Sequence, residues 1–285
     1  RRRALRIFPA YGVTVAVYFA WPTLREWQAI QPLWQFLTFT ENLFITLDAA
    51  KSFSHVWSLC VEEHFYVAFP LLTLLVWRRP SAKVTVGVLL AVLCFGLAWR
   101  ARAWFAFVAP AEDQTLAYYE HLYYPTLPRL DGLLAGVALA VVQVFRPLAW
   151  SWLMARARAM FGAGVALIAA SMVVFDGDPG VGAVVFGFPL LSLAMACVVA
   201  SCASPEAFVQ RVRMPGVANL AALSYSLYLS HKLALHFTVA NGFGGFLVPC
   251  LATLLAGAAL HYGVERPFLK LRDRTAPLAA VAQPE

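Results

Sequence analysis

Charge is scarce in this chain. Of its 285 residues only 13% are Asp, Glu, Lys or Arg, against 61% hydrophobic, and the mean hydropathy is +0.69. A soluble domain carries about 25% charged residues. The shortage extends along the whole length, so it excludes a soluble domain with a single anchor and predicts a polytopic membrane protein. Acidic residues are the rarer sign, 15 against 22 Lys and Arg, for a net charge of +7. That balance alone would suit nucleic acid. The basic residues flank apolar runs instead, where they set topology, and no nucleic-acid partner is expected. Cysteine is sparse too. Cys60, Cys94, Cys197, Cys202 and Cys250 lie in apolar segments without metal-type spacing, and read as small buried hydrophobes. There is no H-E-x-x-H sequence, so no metal site is expected, and no internal repeat or low-complexity linker.

What is present is a series of apolar runs. A spanning helix needs about 20 apolar residues. Eight segments qualify or come near: Ile7–Trp21, Val56–Trp77, Val84–Phe107, Leu130–Phe145, Met160–Phe175, Val181–Cys202, Val217–Ala240 and Phe243–Tyr262. The segment Leu33–Leu47 reads as dipping into the membrane without crossing. The expected fold is therefore an all-α transmembrane bundle forming one domain over 1–285, with a cytoplasmic tail over 270–285. With the N-terminus inside, the inner segments hold Arg1, Arg2, Arg3, Arg6, Arg78, Arg79, Lys83, Arg146, Arg156, Arg158, Arg211, Arg213, Arg266, Lys270, Arg272 and Arg274. Those are 16 of the 22 basic residues. This asymmetry predicts both ends in the cytoplasm.

Against that background a few polar residues stand out. In Trp57-Ser58-Leu59-Cys60-Val61-Glu62-Glu63-His64-Phe65-Tyr66 two adjacent acids fall inside an apolar segment. A charge near the centre of a span costs roughly 2.5–3.5 kcal/mol on insertion scales, which argues for binding, proton handling or catalysis. On a helix Ser58, Glu62 and Tyr66 share a face, with Glu63 about 100° round. The structural alternative is a cap or an ion pair with another span. Arg3 and Arg6 also share a face, and arginine forks suit phosphate, although positive-inside topology explains any such cluster. Arg129 and Asp131 begin a span whose Gly132 and Gly136 have the spacing of close helix packing. They read equally as a structural ion pair or as site residues. Ser224, Tyr228 and His231 form a polar stripe with Lys232 alongside, as a water-accessible pathway would need. Glu265 and Arg266 precede a helix-breaking proline, as a boundary ion pair or a further site residue. The Tyr and Trp residues of the loops Pro22–His55 and Val108–Pro128 read as interfacial anchors before glycan contacts.

These motifs resemble, in order, those of the membrane-bound acyltransferase family three: an R-x-x-R pair, W-S-L-S-V-E-E-Q-F-Y, R-x-D/E-x-L-x-x-G, S-Y-S-L-Y-L-W-H-W-P and E-R-P-F. The fourth departs after Leu229, where Ser230 and Lys232 replace two tryptophans and Leu233 replaces proline. The resemblance implies about ten spans in the full pattern, so the chain reads as lacking the first two. A histidine thought to be the catalytic base belongs to the missing part, and the fragment alone is expected to be impaired. It implies an O-acyltransferase that moves an acyl group, acetyl by default, from acyl-coenzyme A to a hydroxyl of an extracytoplasmic glycan. No cofactor is bound permanently. Glu62 and Glu63 would be catalytic, Arg3 and Arg6 would hold the donor, and Ser58, Tyr66, Arg129, Asp131, Ser224, Tyr228, His231 and Glu265 would support the site or line a channel. The expected location is a bacterial inner membrane. The alternative is a transporter or flippase of a glycan or lipid-linked precursor, using the same charges for coupling. A structural membrane partner would need neither acid.

Overall fold

The computed structural model describes residues 2–47, 51–77, 81–176, 180–205, 207, 215–243 and 245–274. The expectations placed on Arg1, Arg78, Arg79, Arg211, Arg213 and the tail beyond residue 274 lie outside them. The described residues are helical with no strand; one isolated bridge joins Ala29 and Lys51. Eight helices of at least 14 residues are numbered here: α1 Arg2–Ala20, α2 Trp57–Trp77, α3 Ala82–Ala103, α4 Leu130–Phe145, α5 Ala157–Val174, α6 Phe188–Ala203, α7 Val217–Ala240 and α8 Leu247–Leu260.

Five stretches are long and apolar enough to cross a membrane, by length and composition: Ala82–Val108, Leu127–Phe145, Ala157–Val174, Ala183–Ala203 and Leu247–Arg274. The three remaining long helices, α1, α2 and α7, are 19, 21 and 24 residues long and are not among these five stretches. They are the helices that carry Arg3 and Arg6, the Glu62–Glu63 pair and the Tyr228–His231 stripe. Leu33–Leu47 holds only a helix at Leu33–Leu37 and a 3-10 turn at Glu41–Leu43.

The chain forms two compact units, each discontinuous in sequence. The first comprises Arg1–Phe36, Ala49–Val56 and Met214–Glu285. Within it α7 packs along α8, while α1 packs against His261–Glu265 and Arg266–Arg274. Ile7, Ala10, Tyr11, Thr14, Val15 and Tyr18 make a buried stripe at helical spacing on α1. Tyr18 stacks on Phe53 at 4.2 Å between centroids, and Tyr11 donates to the Phe36 carbonyl at 2.8 Å.

The second unit comprises Leu37–Asp48 and Trp57–Arg213. Here α6 packs against α5 and α4, and α4 against α3. The expected close approach at Gly132 and Gly136 is not found. A methyl group at Gly132 would meet only Ser192 Oγ at 3.8 Å, and one at Gly136 would meet nothing within 4 Å. A tight helix crossing in this unit is at Gly164, where an added Cβ would lie 3.0 Å from the Ala194 carbonyl oxygen of α6. Small residues permit close packing, but only the face turned to a neighbour uses it. The cysteines are all thiols, and only Cys60 is buried; Cys94 and Cys250 are exposed on apolar helices, correcting the expectation of buried positions.

Candidate functional site

The second unit places the Trp57–Tyr66 motif on α2. Leu59, Cys60 and Val61 are buried, Glu63 is half-buried, and Glu62 and Tyr66 are exposed. The shared helical face therefore runs from interior to surface. Ser58 lines a cavity of about 270 Å³ with Trp57, Val61, Arg129, Asp131 and Ser192, whereas Glu62 is not enclosed in an apolar core. His64 Nδ1 lies 2.6 Å from Thr126 Oγ1, to which Asn42 also donates at 2.9 Å. Asn42 is fully buried and donates as well to the Tyr124 carbonyl.

Arg129 and Asp131 do not form the ion pair that their spacing suggests. Asp131 is paired with Arg100 of α3, at 2.5 Å from Nη1. Arg100 is fully buried and also donates to the carbonyls of Pro128, at 2.8 Å, and Val185, at 3.2 Å. Arg129 instead lies over the rings of Phe188, Tyr123 and Trp57, at 4.1, 4.2 and 5.0 Å. A guanidinium desolvated among aromatic faces is held by their quadrupoles. Residues two apart on a helix diverge, which is why a partner from another helix captures the acid.

In the first unit α7 and the segment Lys51–Val56 bring a polar cluster together. Tyr228 donates to the His55 carbonyl, and Lys232 donates to Ser54 Oγ at 3.1 Å, with Glu26 Oε1 3.9 Å away. Glu26 Oε1 also accepts from the Phe53 amide at 2.9 Å. The His55 ring stands edge-on to those of His231, at 4.6 Å, and Tyr228, at 5.2 Å. His231 Nδ1 lies 2.7 Å from the Tyr228 carbonyl oxygen. Burial, with the nearby His231 and Lys232 charges, pushes the His55 imidazole down to about 3. Ser224 stands apart from this cluster: it is exposed and bonded to the Ala221 carbonyl of its own helix.

Elsewhere in the same unit Glu265 is buried, and its Oε2 accepts from Ser226 Oγ at 2.7 Å and meets His261 Nδ1 at 2.8 Å. His261–Glu265 forms a π-helical turn, a form found mostly as single-turn bulges, frequently at functional sites. On α1, Arg6 is exposed and Arg3 half-buried. Among the described residues no three His, Cys, Asp or Glu side chains converge as a metal centre requires.

Residues 1–262 match the acyltransferase domain of acyltransferase family three. The chain belongs to that family. Among curated relatives of this chain, the peptidoglycan O-acetyltransferase OatA of Listeria monocytogenes is 27% identical over 164 residues, covering 52% of this chain and 24% of the relative. An uncharacterized protein of Haemophilus influenzae is 27% identical over 153 residues, covering 49% of this chain and 60% of the relative. The chain thus spans less than two thirds of either. No solved structure matches.

The membership agrees with the motif reading and leaves particular residues to geometry. Arg100, His55, Glu26, Ser226 and His261 were not singled out as site residues in sequence. Only the His261–Glu265 pair, four apart on a helix, had a local spacing that could have shown it.

Proposed function

We propose that the chain belongs to an integral-membrane O-acyltransferase that moves an acyl group, most simply acetyl, from acyl-coenzyme A to a hydroxyl of a cell-surface glycan. The observation that carries this reading is the family match over residues 1–262, supported by a peptidoglycan O-acetyltransferase among the relatives. In this reading the protein lies in a bacterial inner membrane with both ends of the chain cytoplasmic. The donor phosphates dock at Arg3 and Arg6, whose forks suit them. Glu62 and Glu63 handle the proton or orient the base, and acceptor groups approach from the opposite side. A carboxylate that holds an imidazole in one tautomer, or a neutral acid that donates, meets the general requirement of acyl transfer.

The test uses the full-length protein in inside-out membrane vesicles supplied with radiolabelled acetyl-coenzyme A. Wild type is expected to place label in a base-labile ester. Glu62→Gln or Glu63→Gln is expected to lower the rate by about 10²–10⁴-fold, the usual worth of a general acid or base. Full transfer by both variants would remove these acids from the mechanism. Absence of any labelled ester with a well-expressed wild type would overturn the acyltransferase reading itself.

A further inference from the structure

We propose that the cavity of about 270 Å³ among α2, α4 and α6 is an acceptor subsite, and that Arg129 makes it selective for an acidic sugar, one carrying a carboxylate or a phosphate. This rests on the acyltransferase reading and deepens it by naming the class of acceptor.

Arg129 is held in place without being neutralised. Its Nε donates to the Tyr123 carbonyl at 2.8 Å, and its guanidinium lies over the rings of Phe188, Tyr123 and Trp57. Stacking uses the faces of a guanidinium, whereas hydrogen bonds form at its edge. Nη1 and Nη2 make no hydrogen bond and no ion pair among the described residues. The nearby acid, Asp131, is taken by Arg100. Two guanidiniums therefore share one carboxylate, and one positive charge is left over. Arg129 and Asp131 are the only ionisable residues in the cavity lining, so nothing else there cancels it.

An arginine edge with open donors suits a carboxylate or a phosphate, which it meets with two parallel hydrogen bonds. The rest of the lining fits a sugar ring. Ser192 Oγ donates to the Phe188 carbonyl at 2.8 Å, which leaves its lone pairs to accept from a ligand hydroxyl. Ser58 adds a second hydroxyl from α2, and Trp57 and Phe188 supply apolar surface for the C–H face of a pyranose. Small-molecule sites span about 300–1,000 Å³. A cavity just under that range takes one sugar unit with its acidic group, not a longer stretch of chain. Both α2 and α4 begin at the cavity, and in the proposed topology both begin at the outer face, where the acceptor approaches.

Arg129 is thus a binding residue and takes no part in moving the acyl group or the proton. It sets which acceptor is held. A neutral sugar would leave the fork unpaired inside the cavity, and that loss is the source of the discrimination.

The experiment titrates full-length protein in lipid nanodiscs with monosaccharide probes, read by saturation-transfer NMR. The probes are glucuronate, glucose 6-phosphate, glucose, and the methyl ester of glucuronate, which keeps the ring and loses the charge. Wild type is expected to bind at least one acidic probe about tenfold to a hundredfold more tightly than glucose and the ester. The tighter of the two acidic probes tells carboxylate from phosphate. Arg129→Met is expected to bind acidic and neutral probes alike. Equal binding of acidic and neutral probes by wild type, no binding of any probe, or a preference that persists in Arg129→Met would overturn the assignment. The comparison with the ester needs wild type alone, so it decides the matter even where the variant fails to fold. The acetyl-coenzyme A assay on wild type separates the two readings. Labelled ester without a preference for acidic probes would overturn the subsite alone, whereas that preference without any labelled ester would overturn acyl transfer and leave an anion site.

Discussion

Arg100 is the residue on which the second unit most visibly depends. Its guanidinium joins α3 to Asp131 at the start of α4, to the Pro128 carbonyl and to the Val185 carbonyl. Deleting one partner of a buried pair leaves the other charge uncompensated, at about 3–5 kcal/mol. Arg100→Met should therefore lower the thermal midpoint of the detergent-solubilised protein by many degrees, and adding Asp131→Leu should recover much of it. A single variant as stable as wild type would show that the pair is not a keystone. Nothing in sequence linked these two residues, which lie 31 positions apart. Arg129 was the nearer candidate for Asp131, and only the fold shows that aromatic rings claim it. The acids of α2 present the opposite case. Their position in an apolar run was legible at once, but their exposure depends on which face of α2 packs inward.

At the scale of elements, the tight approaches among the described residues occur at single glycines, Gly164, Gly187 and Gly257, and not at the paired-glycine spacing of α4. An added Cβ at Gly257 of α8 would lie 3.1 Å from the Cα of Leu227 on α7, and closer still to the Leu227 side chain. Gly257→Ala should destabilise the protein by about 1–3 kcal/mol despite the better helix propensity of alanine. Gly136→Ala meets nothing and should be neutral or slightly stabilising. Equal midpoints for the two variants in a melting experiment would contradict this packing. The polar positions on α1, α2 and α7 were also legible, since they form the motifs. Which serine of α7 matters was not. The stripe through Ser224 follows ideal helical spacing, yet Ser226 meets Glu265, because the π-helical turn His261–Glu265 sets where that carboxylate projects.

For the whole molecule, the distribution of basic residues predicts orientation. An impermeant maleimide applied to intact cells should label Glu112→Cys, in the loop after Ala82–Val108, and leave Lys83→Cys unlabelled until the membrane is opened. The reverse pattern would invert the proposed topology. The all-helical membrane architecture was readable from composition because lipid demands internally satisfied backbone, which leaves helices or closed barrels. The grouping into two units was not, since it depends on contacts between distant stretches. That grouping has a consequence for biosynthesis. The first unit is made of the earliest and the latest stretches of this chain, Arg1–Phe36 and Met214–Glu285, with the second unit between them. A ribosome delivers α1 long before α7 and α8 exist. The contacts of α1 inside its own unit are therefore completed only after the last stretch has been made. A chain stopped before residue 214 would hold every residue of the second unit but lack the α7, α8 and Arg266–Arg274 partners of the first.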